Sequence, residues 1–305
     1  METEKGDKKI KADRLPRWLR RPLGGGKEFS QVQGVLADLH LATVCHSAGC
    51  PNRGECFSCG TATFMIMGQV CTRNCAFCLV THGATAPLVE DEPLRVAQAV
   101  RRLGLKHVVI TSVTRDDLPD GGAGHFAATI VTVRKVNPHV TVEVLTPDFK
   151  GNTGCLDTVL QAPPDVFNHN METVRRLTPE IRSGADYNRS LGVLKYVAGK
   201  PNGPTVKSGL MLGLGESDDE IIGTLWDLRE AGVEMLTIGQ YLRPSKANRQ
   251  VHKYYEPSEF KKLKQAALKM GFAPVASGPF VRSSYHAEEM TEKIFNHEAH
   301  EGYED

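Results

Sequence analysis

The sequence lacks any run of apolar residues approaching the length of a membrane span, so no transmembrane helix is expected. It also lacks an apolar stretch behind Met1, where Glu2, Glu4 and Lys5 stand instead, so secretion is not expected. Mitochondrial leaders are poor in acids, and Glu2, Glu4, Asp7 and Asp13 argue against one. There is little net charge: a balance of +1 leaves no excess to neutralise phosphates, which argues against bulk nucleic-acid binding. Low-complexity segments are absent. The glycine-rich stretch from Gly209 to Glu216 lacks the Gly-Lys-Ser/Thr ending of a phosphate loop. What remains is a chain of 305 residues, 40% hydrophobic and 24% charged, ordinary values for a globular protein. That length buries a sizeable core and suits one large α/β domain or two small ones.

Cysteine is the exception to this plainness. Six of the eight cysteines form two triads, Cys45-x4-Cys50-x5-Cys56 and Cys71-x3-Cys75-x2-Cys78. Three thiolates spaced like the second triad can hold three irons of a cubic [4Fe–4S] cluster. No fourth cysteine follows, as it does in ferredoxin runs, so the fourth iron is open to a small molecule. Structural zinc is the rival, but zinc sites pair a C-x2-C with a second pair, which this run lacks. For Cys45, Cys50 and Cys56, with His46 nearby, zinc stays open on spacing alone. Clustered unpaired thiols fit a reducing, cytosolic compartment. Cys59 and Cys155 belong to neither triad and are expected to be small buried hydrophobes.

Short apolar strands are expected at Thr63–Gly68, His107–Thr111, Thr141–Leu145, Val166–His169, Val206–Leu212 and Met235–Gln240. Helices are expected between them, at 93–103, 124–136, 153–161, 172–182 with 186–199, and 218–231, the last opened by the capping signal Ser217-Asp218-Asp219-Glu220. A helix over 257–270 and a possible extra strand at Ala273–Ala276 follow. Such alternation predicts a parallel sheet covered by helices. Six βα units are fewer than the eight of a complete barrel, and periodicity leaves an open barrel and a doubly wound sheet both possible. The second triad directly follows the first strand, at the carboxyl end where barrel sites form. Charge is uneven at the ends. Residues 1–27 carry nine Lys/Arg against four Asp/Glu, and 287–305 carry seven acids against Lys293 alone. Both read as solvated tails. Alternatively Trp18 among Arg14, Arg17, Arg20 and Arg21 could anchor an acidic partner.

The second triad, with Phe77 before its last cysteine, resembles the radical S-adenosylmethionine superfamily. Both triads together, Thr63-Phe64-Met65-Ile66-Met67-Gly68 and Arg282-Ser283-Ser284-Tyr285 resemble the lipoyl synthase family within it, over roughly residues 13 to 287. The resemblance implies a partial (β/α)6 TIM-like barrel over residues 61–245. An N-terminal extension, 1–60, would carry the first triad, and a C-terminal extension, 246–305, the Arg-Ser-Ser-Tyr motif and the acidic tail. It implies two [4Fe–4S] clusters: one on Cys71, Cys75 and Cys78 that binds S-adenosylmethionine, and an auxiliary one on Cys45, Cys50, Cys56 and Ser283. Oxygen is a poorer ligand than thiolate for iron in a sulfide cluster, which suits a cluster that must open. For the cosubstrate it implies the segment around Phe77 beside the adenine and Arg182 on the carboxylate, to which a guanidinium presents a matching fork. Thr111 and Ser112, at a strand's carboxyl end, are candidate cosubstrate contacts. So are Asn168, Asn170 and Glu172 of the polar run Asn168-His169-Asn170-Met171-Glu172, where His169 could equally be a satisfied core histidine. Gly209 to Glu216 is expected to let backbone approach the adenosine.

The activity implied is replacement of C–H by C–S bonds at C6 and C8 of an octanoyl chain amide-linked to a lysine. Neither position is acidic, so a carbon radical from cleaved cosubstrate, not a catalytic side chain, must attack, with sulfide drawn from the auxiliary cluster. The partners implied are octanoylated lipoyl carrier domains or H protein, an electron donor such as ferredoxin or flavodoxin, and an iron–sulfur carrier for cluster repair. Rival enzymes are biotin synthase-like or methylthiotransferase-like sulfur inserters, which lack the first triad together with Arg-Ser-Ser-Tyr. A rival of another class is a metal-stabilised binding protein, separable by counting iron and zinc.

Overall fold

The computed structural model describes residues 15–21 and 24–293; Arg14 and the acidic stretch from 294 lie outside them. Three helices precede the sheet: α1 (Lys27–Asp38), α2 (Val44–Ser47) and α3 (Arg53–Ser58). The main sheet has seven strands: β1 (Thr63–Ile66), β2 (His107–Ser112), β3 (Thr141–Leu145), β4 (Val166–Asn168), β5 (Thr205–Leu212), β6 (Met235–Gln240) and β7 (Val275–Gly278). Spatial order follows chain order and each neighbouring pair is parallel. Parallel neighbours need crossovers, and helices supply them: α4 (Glu92–Leu103), α5 (Ala123–Val136), α6 (Thr153–Leu160), the short α7 (Thr178–Ile181), α8 (Tyr187–Ala198), α9 (Asp218–Glu230) and α10 (Pro257–Lys269). β1 and β7 share no ladder, so the sheet is an open, partial barrel. Its core is continuous with the preceding helices, running from Val32 and Leu36 through Phe64, Ile110 and Phe167 to Val275.

Local signals explain most boundaries. Ser217 and Glu220 form the expected reciprocal capping box on α9. α4 stops at Gly104, whose φ of 62° few other residues tolerate. The helix expected over 172–182 shrinks to α7. Glu172 is held at φ 64°, its N–H donates to Gly209 O (2.9 Å) and its carbonyl accepts from Met211 N–H (2.8 Å). That backbone is committed to the neighbouring strand β5, so no helix can start there. The extra strand forms two residues later than expected and pairs with β6.

Two further expectations are corrected. Cys155 is buried, but Cys59 is exposed, because it caps the carboxyl end of α3 instead of facing the core. Arg21 is not free for a partner. It pairs with Glu55, donates to Tyr285 Oη (3.2 Å) and lies 4.1 Å above the Phe280 ring. The acidic Glu55, next to Cys56, draws it inward. Trp18 remains partly exposed with its indole N–H on Tyr255 O (3.2 Å).

Candidate cluster and cosubstrate site

The second triad occupies a loop at the carboxyl end of β1. Met67 (φ 68°) and Gly68 (φ 94°) turn the chain sharply out of the strand. A two-residue parallel ladder, Val70–Cys71 on Thr81–His82, then closes the base of the loop. Other strand ends tether it. Thr72 N–H donates to Thr114 O (3.0 Å), Ala76 N–H to Ile181 O (2.9 Å), and Asn248 Nδ2 to Cys78 O (2.8 Å). Arg73, between the first two cysteines, grips Asp116 (2.7 and 3.0 Å) and Asp148 (2.7 Å). Cys71 Sγ accepts from Arg73 N–H (3.4 Å) and Thr114 N–H (3.3 Å), the backbone donors a thiolate or cluster sulfur needs. Burial, reinforced by the neighbouring thiols, pushes Cys78 up to about 11, and burial also raises Cys75. Bare, Cys75 and Cys78 are protonated at neutral pH, and a metal must displace those protons.

The first triad lies along the free edge of β1. Met65 N–H donates to Ala42 O (2.9 Å), which draws the segment before α2 against the strand. Thr43 caps α2 through Cys45 N–H (3.2 Å), and Cys50 N–H reaches Cys45 O (3.1 Å). Cys56 sits on α3. Burial, reinforced by Cys45 and Cys50, pushes its thiol up to about 12. The Arg282-Ser283-Ser284-Tyr285 segment follows β7 and fills the opening between β7 and β1. Ser284 Oγ accepts from Thr63 Oγ1 on β1 (2.8 Å), while Ser283 Oγ accepts from Asn170 Nδ2 (2.6 Å). Tyr285 Oη donates to Glu55 Oε1 (3.0 Å), linking this segment to the helix of Cys56. Among the described residues no three His, Cys, Asp or Glu side chains converge as ligands of one metal ion do. A cubane instead takes one ligand per iron, and two sets of three thiols fit two cubanes better than zinc.

Between the triads lies a cavity of about 380 Å³. Cys45, Cys50, Cys78, Phe77 and Ser283 line it, with Asn170, Glu172, Leu210, Met211 and Tyr241 among its walls. Gly209 keeps it open, since a β-carbon there would meet Thr237 Oγ1 at 2.5 Å and Asn170 Oδ1 at 2.9 Å.

The residues expected at the cosubstrate divide into two groups. Phe77, Asn170 and Glu172 line the cavity. Arg182 is buried beside Glu172 and Cys75, and among the described residues its guanidinium donates only to Ser190 Oγ (2.9 Å), leaving N–H groups for a carboxylate. Burial raises the Glu172 carboxyl, against the pull of Arg182. Thr111, Ser112 and Asn168 do not line the cavity. Thr111 Oγ1 donates to Leu145 O (3.0 Å). Asn168 donates to Glu143 (3.2 Å), a carboxylate fully buried with Lys207 at 2.9 Å. His169 is a satisfied core histidine on Thr146 O (2.9 Å) and Ser190 Oγ (3.1 Å), and burial lowers its pKa to about 4. Gly213 is required for packing: a β-carbon there would meet Gln240 Nε2 at 2.4 Å. Sequence reasoning missed Arg73 and also Arg282, which lines the cavity. Arg73 carries a legible signal, a charge inside the cysteine run; Arg282 lay within a quoted motif but had no assigned role.

Comparison with known proteins agrees with this geometry. Residues 65–228 match the model of the radical SAM superfamily, more than half of the chain, so the fold and site define a radical SAM enzyme. Among solved structures, methylornithine synthase shares the fold at TM-score 0.54 and 14% identity, covering 69% of this chain and 62% of that one. A maturase of the [FeFe]-hydrogenase shares it at TM-score 0.53, covering 68% and 48%. A lipoyl synthase from Caldanaerobacter subterraneus is 55% identical over 277 residues, 90% of this chain and 96% of the relative. One from Rubrobacter xylanophilus is 53% identical, covering 91% and 86%. The chain belongs to the lipoyl synthase family.

Proposed function

We propose that this chain inserts two sulfur atoms, at C6 and C8 of an octanoyl chain carried on a protein lysine. The observation that carries the proposal is the 380 Å³ cavity, mostly apolar, whose lining holds Cys45 and Cys50 of one triad and Cys78 of the other. When bound, two [4Fe–4S] clusters and S-adenosylmethionine supply hydrogen-atom abstraction and the sulfide. The chain's own residues hold and orient. Cys71, Cys75 and Cys78 hold one cluster, and the Arg73 grip fixes their loop. Cys45, Cys50, Cys56 and Ser283 hold the other. Arg182 offers its fork to the cosubstrate carboxylate, with Asn170, Glu172 and Phe77 around the remainder. Val44, Leu79, Leu210 and Met211 give an alkyl chain an apolar bed that excludes water. Thr111, Ser112 and Asn168 shape the barrel wall behind these groups.

The extension 1–60, the barrel 61–245 and the extension 246–305 then bring one triad, the other triad and the closing serine segment to one cavity. The substrate is an octanoylated carrier domain or H protein, electrons come from ferredoxin or flavodoxin, and an iron–sulfur carrier rebuilds the auxiliary cluster, in the cytoplasm. No helix among the described residues is long and apolar enough to cross a membrane. Anaerobic turnover with reductant, S-adenosylmethionine and an octanoyl-lysyl peptide tests the proposal by mass spectrometry. Gain of two sulfur atoms per peptide is expected. Formation of 5′-deoxyadenosine with no sulfur gained, in protein carrying about eight irons per chain, would overturn it.

A further inference from the structure

Behind the first triad lies a second cavity, of about 230 Å³, and it holds four thiols rather than three. Cys45, Cys50 and Cys56 line it together with Cys59. Cys59 follows Cys56 at C-x2-C spacing, a common metal-ligand pattern. Structure brings this pair to one end of α3. Cys59 N–H bonds Glu55 O (2.9 Å) and Cys56 O (3.1 Å), so its backbone is fixed at the helix end. Gly60 then turns the chain away at φ 74°. Cys59 is exposed and lines the cavity, so it stands at the cavity's solvent edge. A second observation marks the cavity as built for a ligand. Asn52, 1% exposed, lines it with Oδ1 unpartnered among the described residues, while its Nδ2 is committed to Phe280 O. His107, 8% exposed, lines it too, but its Nε2 already faces the Glu143 carboxylate at 3.4 Å, so Asn52 is the group that marks the site. Both serine hydroxyls, in contrast, already have partners, Asn170 for Ser283 and Thr63 for Ser284.

We propose that Cys59 is an alternative fourth ligand of the auxiliary cluster: Ser283 lines the cavity between the triads and Cys59 the one behind, so Cys59 takes the iron that Ser283 holds when the serine segment is displaced and the cluster shifts toward the second cavity. This rests on the cluster assignment made above. Thiolate is the better-matched ligand for iron in a sulfide cluster, and four cysteines are the ordinary complement of a [4Fe–4S] centre. In the exchange the Cys59 thiol gives up its proton and forms an iron–sulfur bond. The serine oxygen leaves that iron and takes a proton, and no electron moves. The chain thus has a ligand state for chemistry, closed by oxygen, and a more tightly held state closed by sulfur.

The test uses full-length protein reconstituted anaerobically with iron and sulfide. Wild type, Ser283→Ala/Ser284→Ala, and the same pair with Cys59→Ala are compared by iron and sulfide content and by the rate at which a chelator strips iron. The double variant is expected to keep about eight irons per chain. The triple variant is expected to lose iron from one cluster, or to release it at least about tenfold faster, a difference of roughly 1.4 kcal/mol in barrier. Selenocysteine placed site-specifically at position 59 alone should give an iron–selenium distance in X-ray absorption of the double variant and none in protein that keeps both serines. Identical iron content and release in the double and triple variants would overturn the proposal. Wild type holding only about four irons would instead overturn the two-cluster assignment beneath it. Uncoupled cleavage of S-adenosylmethionine at Cys71, Cys75 and Cys78 reports that each variant is folded.

Discussion

Gly239 on β6 is the point where a single methyl group should uncouple the two halves of the chemistry. A β-carbon there would lie 2.1 Å from Val281 O, 3.1 Å from its carbonyl carbon and 3.2 Å from Arg282 Nη1. A carbon–oxygen contact needs about 3.3 Å, so the Val281 backbone must retreat by on the order of 1 Å. Val281 leads directly into Arg282, Ser283 and Ser284, and it is held by the turn Val281 N–H to Gly278 O (3.1 Å) and by Arg282 Nη1 donating to Val281 O (2.6 Å). Overpacking of this kind costs about 1–3 kcal/mol, within the roughly 5–15 kcal/mol that holds a folded domain together. Gly239→Ala should therefore fold. A misplacement of about 1 Å in a positioning segment can lower rate about 100-fold. Sulfur insertion into an octanoyl-lysyl peptide should fall by about that factor, and chelator should strip auxiliary iron faster. Formation of 5′-deoxyadenosine should stay within about twofold, because the second triad is tethered to other strand ends. Gly34→Ala is the control: it is helical, with nothing within 4 Å of a new β-carbon. That change should stabilise α1 by about 0.5–1 kcal/mol and leave both reactions alone. Native sulfur insertion by Gly239→Ala, with a full complement of iron, would refute the idea that the serine segment must sit where it does.

Further outcomes are expected elsewhere. Alanine at Cys71, Cys75 and Cys78 should abolish 5′-deoxyadenosine, whereas alanine at Cys45, Cys50 and Cys56 should spare it and eliminate sulfur insertion; product analysis separates the two. Arg73→Met removes a largely buried partner of Asp148 and should cost on the order of 3 kcal/mol in urea denaturation, moderated by Arg189. Burial opposes ionisation of Asp148, but Arg73 prevails and holds its pKa down to about 2. Its stabilisation should thus be complete above about pH 4 and lost as pH falls toward 2, a loss that acid titration of Asp148→Asn should not show. Lys207→Met leaves Glu143 buried without its cation and should destabilise by about 3–5 kcal/mol, read by denaturation, with Glu143→Gln/Lys207→Met partly restoring stability. Reversing Arg17 and Arg20 should slow turnover of a whole carrier at low salt but not of a short peptide, since exposed charges are screened within about 10 Å at 0.1 M.

The sequence by itself determined what is local. The spacing of Cys71, Cys75 and Cys78 is chemistry written in eight consecutive residues, and no distant contact was needed to read it. The strands from Thr63 to Gln240 were legible because a parallel strand buried on both faces must be apolar along its length. The Ser217–Glu220 cap was legible because both partners lie within one helical turn. Tertiary structure decided everything that depends on direction. Thr111 and Asn168 occupy the right strands, yet their polar groups bond neighbouring strands, because side chains alternate faces and register sets which face meets the cavity. Glu172 gave up a helical conformation for hydrogen bonds to β5, a long-range choice no local propensity records. Cys59 looked like a core residue until the end of α3 turned it to solvent beside three other thiols. Arg21 looked like a docking charge until Glu55 and, from the far end of the chain, Tyr285 were brought to it. The pairing of Ser283 with Asn170 and Ser284 with Thr63 is of the same kind: adjacent residues of one type diverge only when the barrel opening they fill exists.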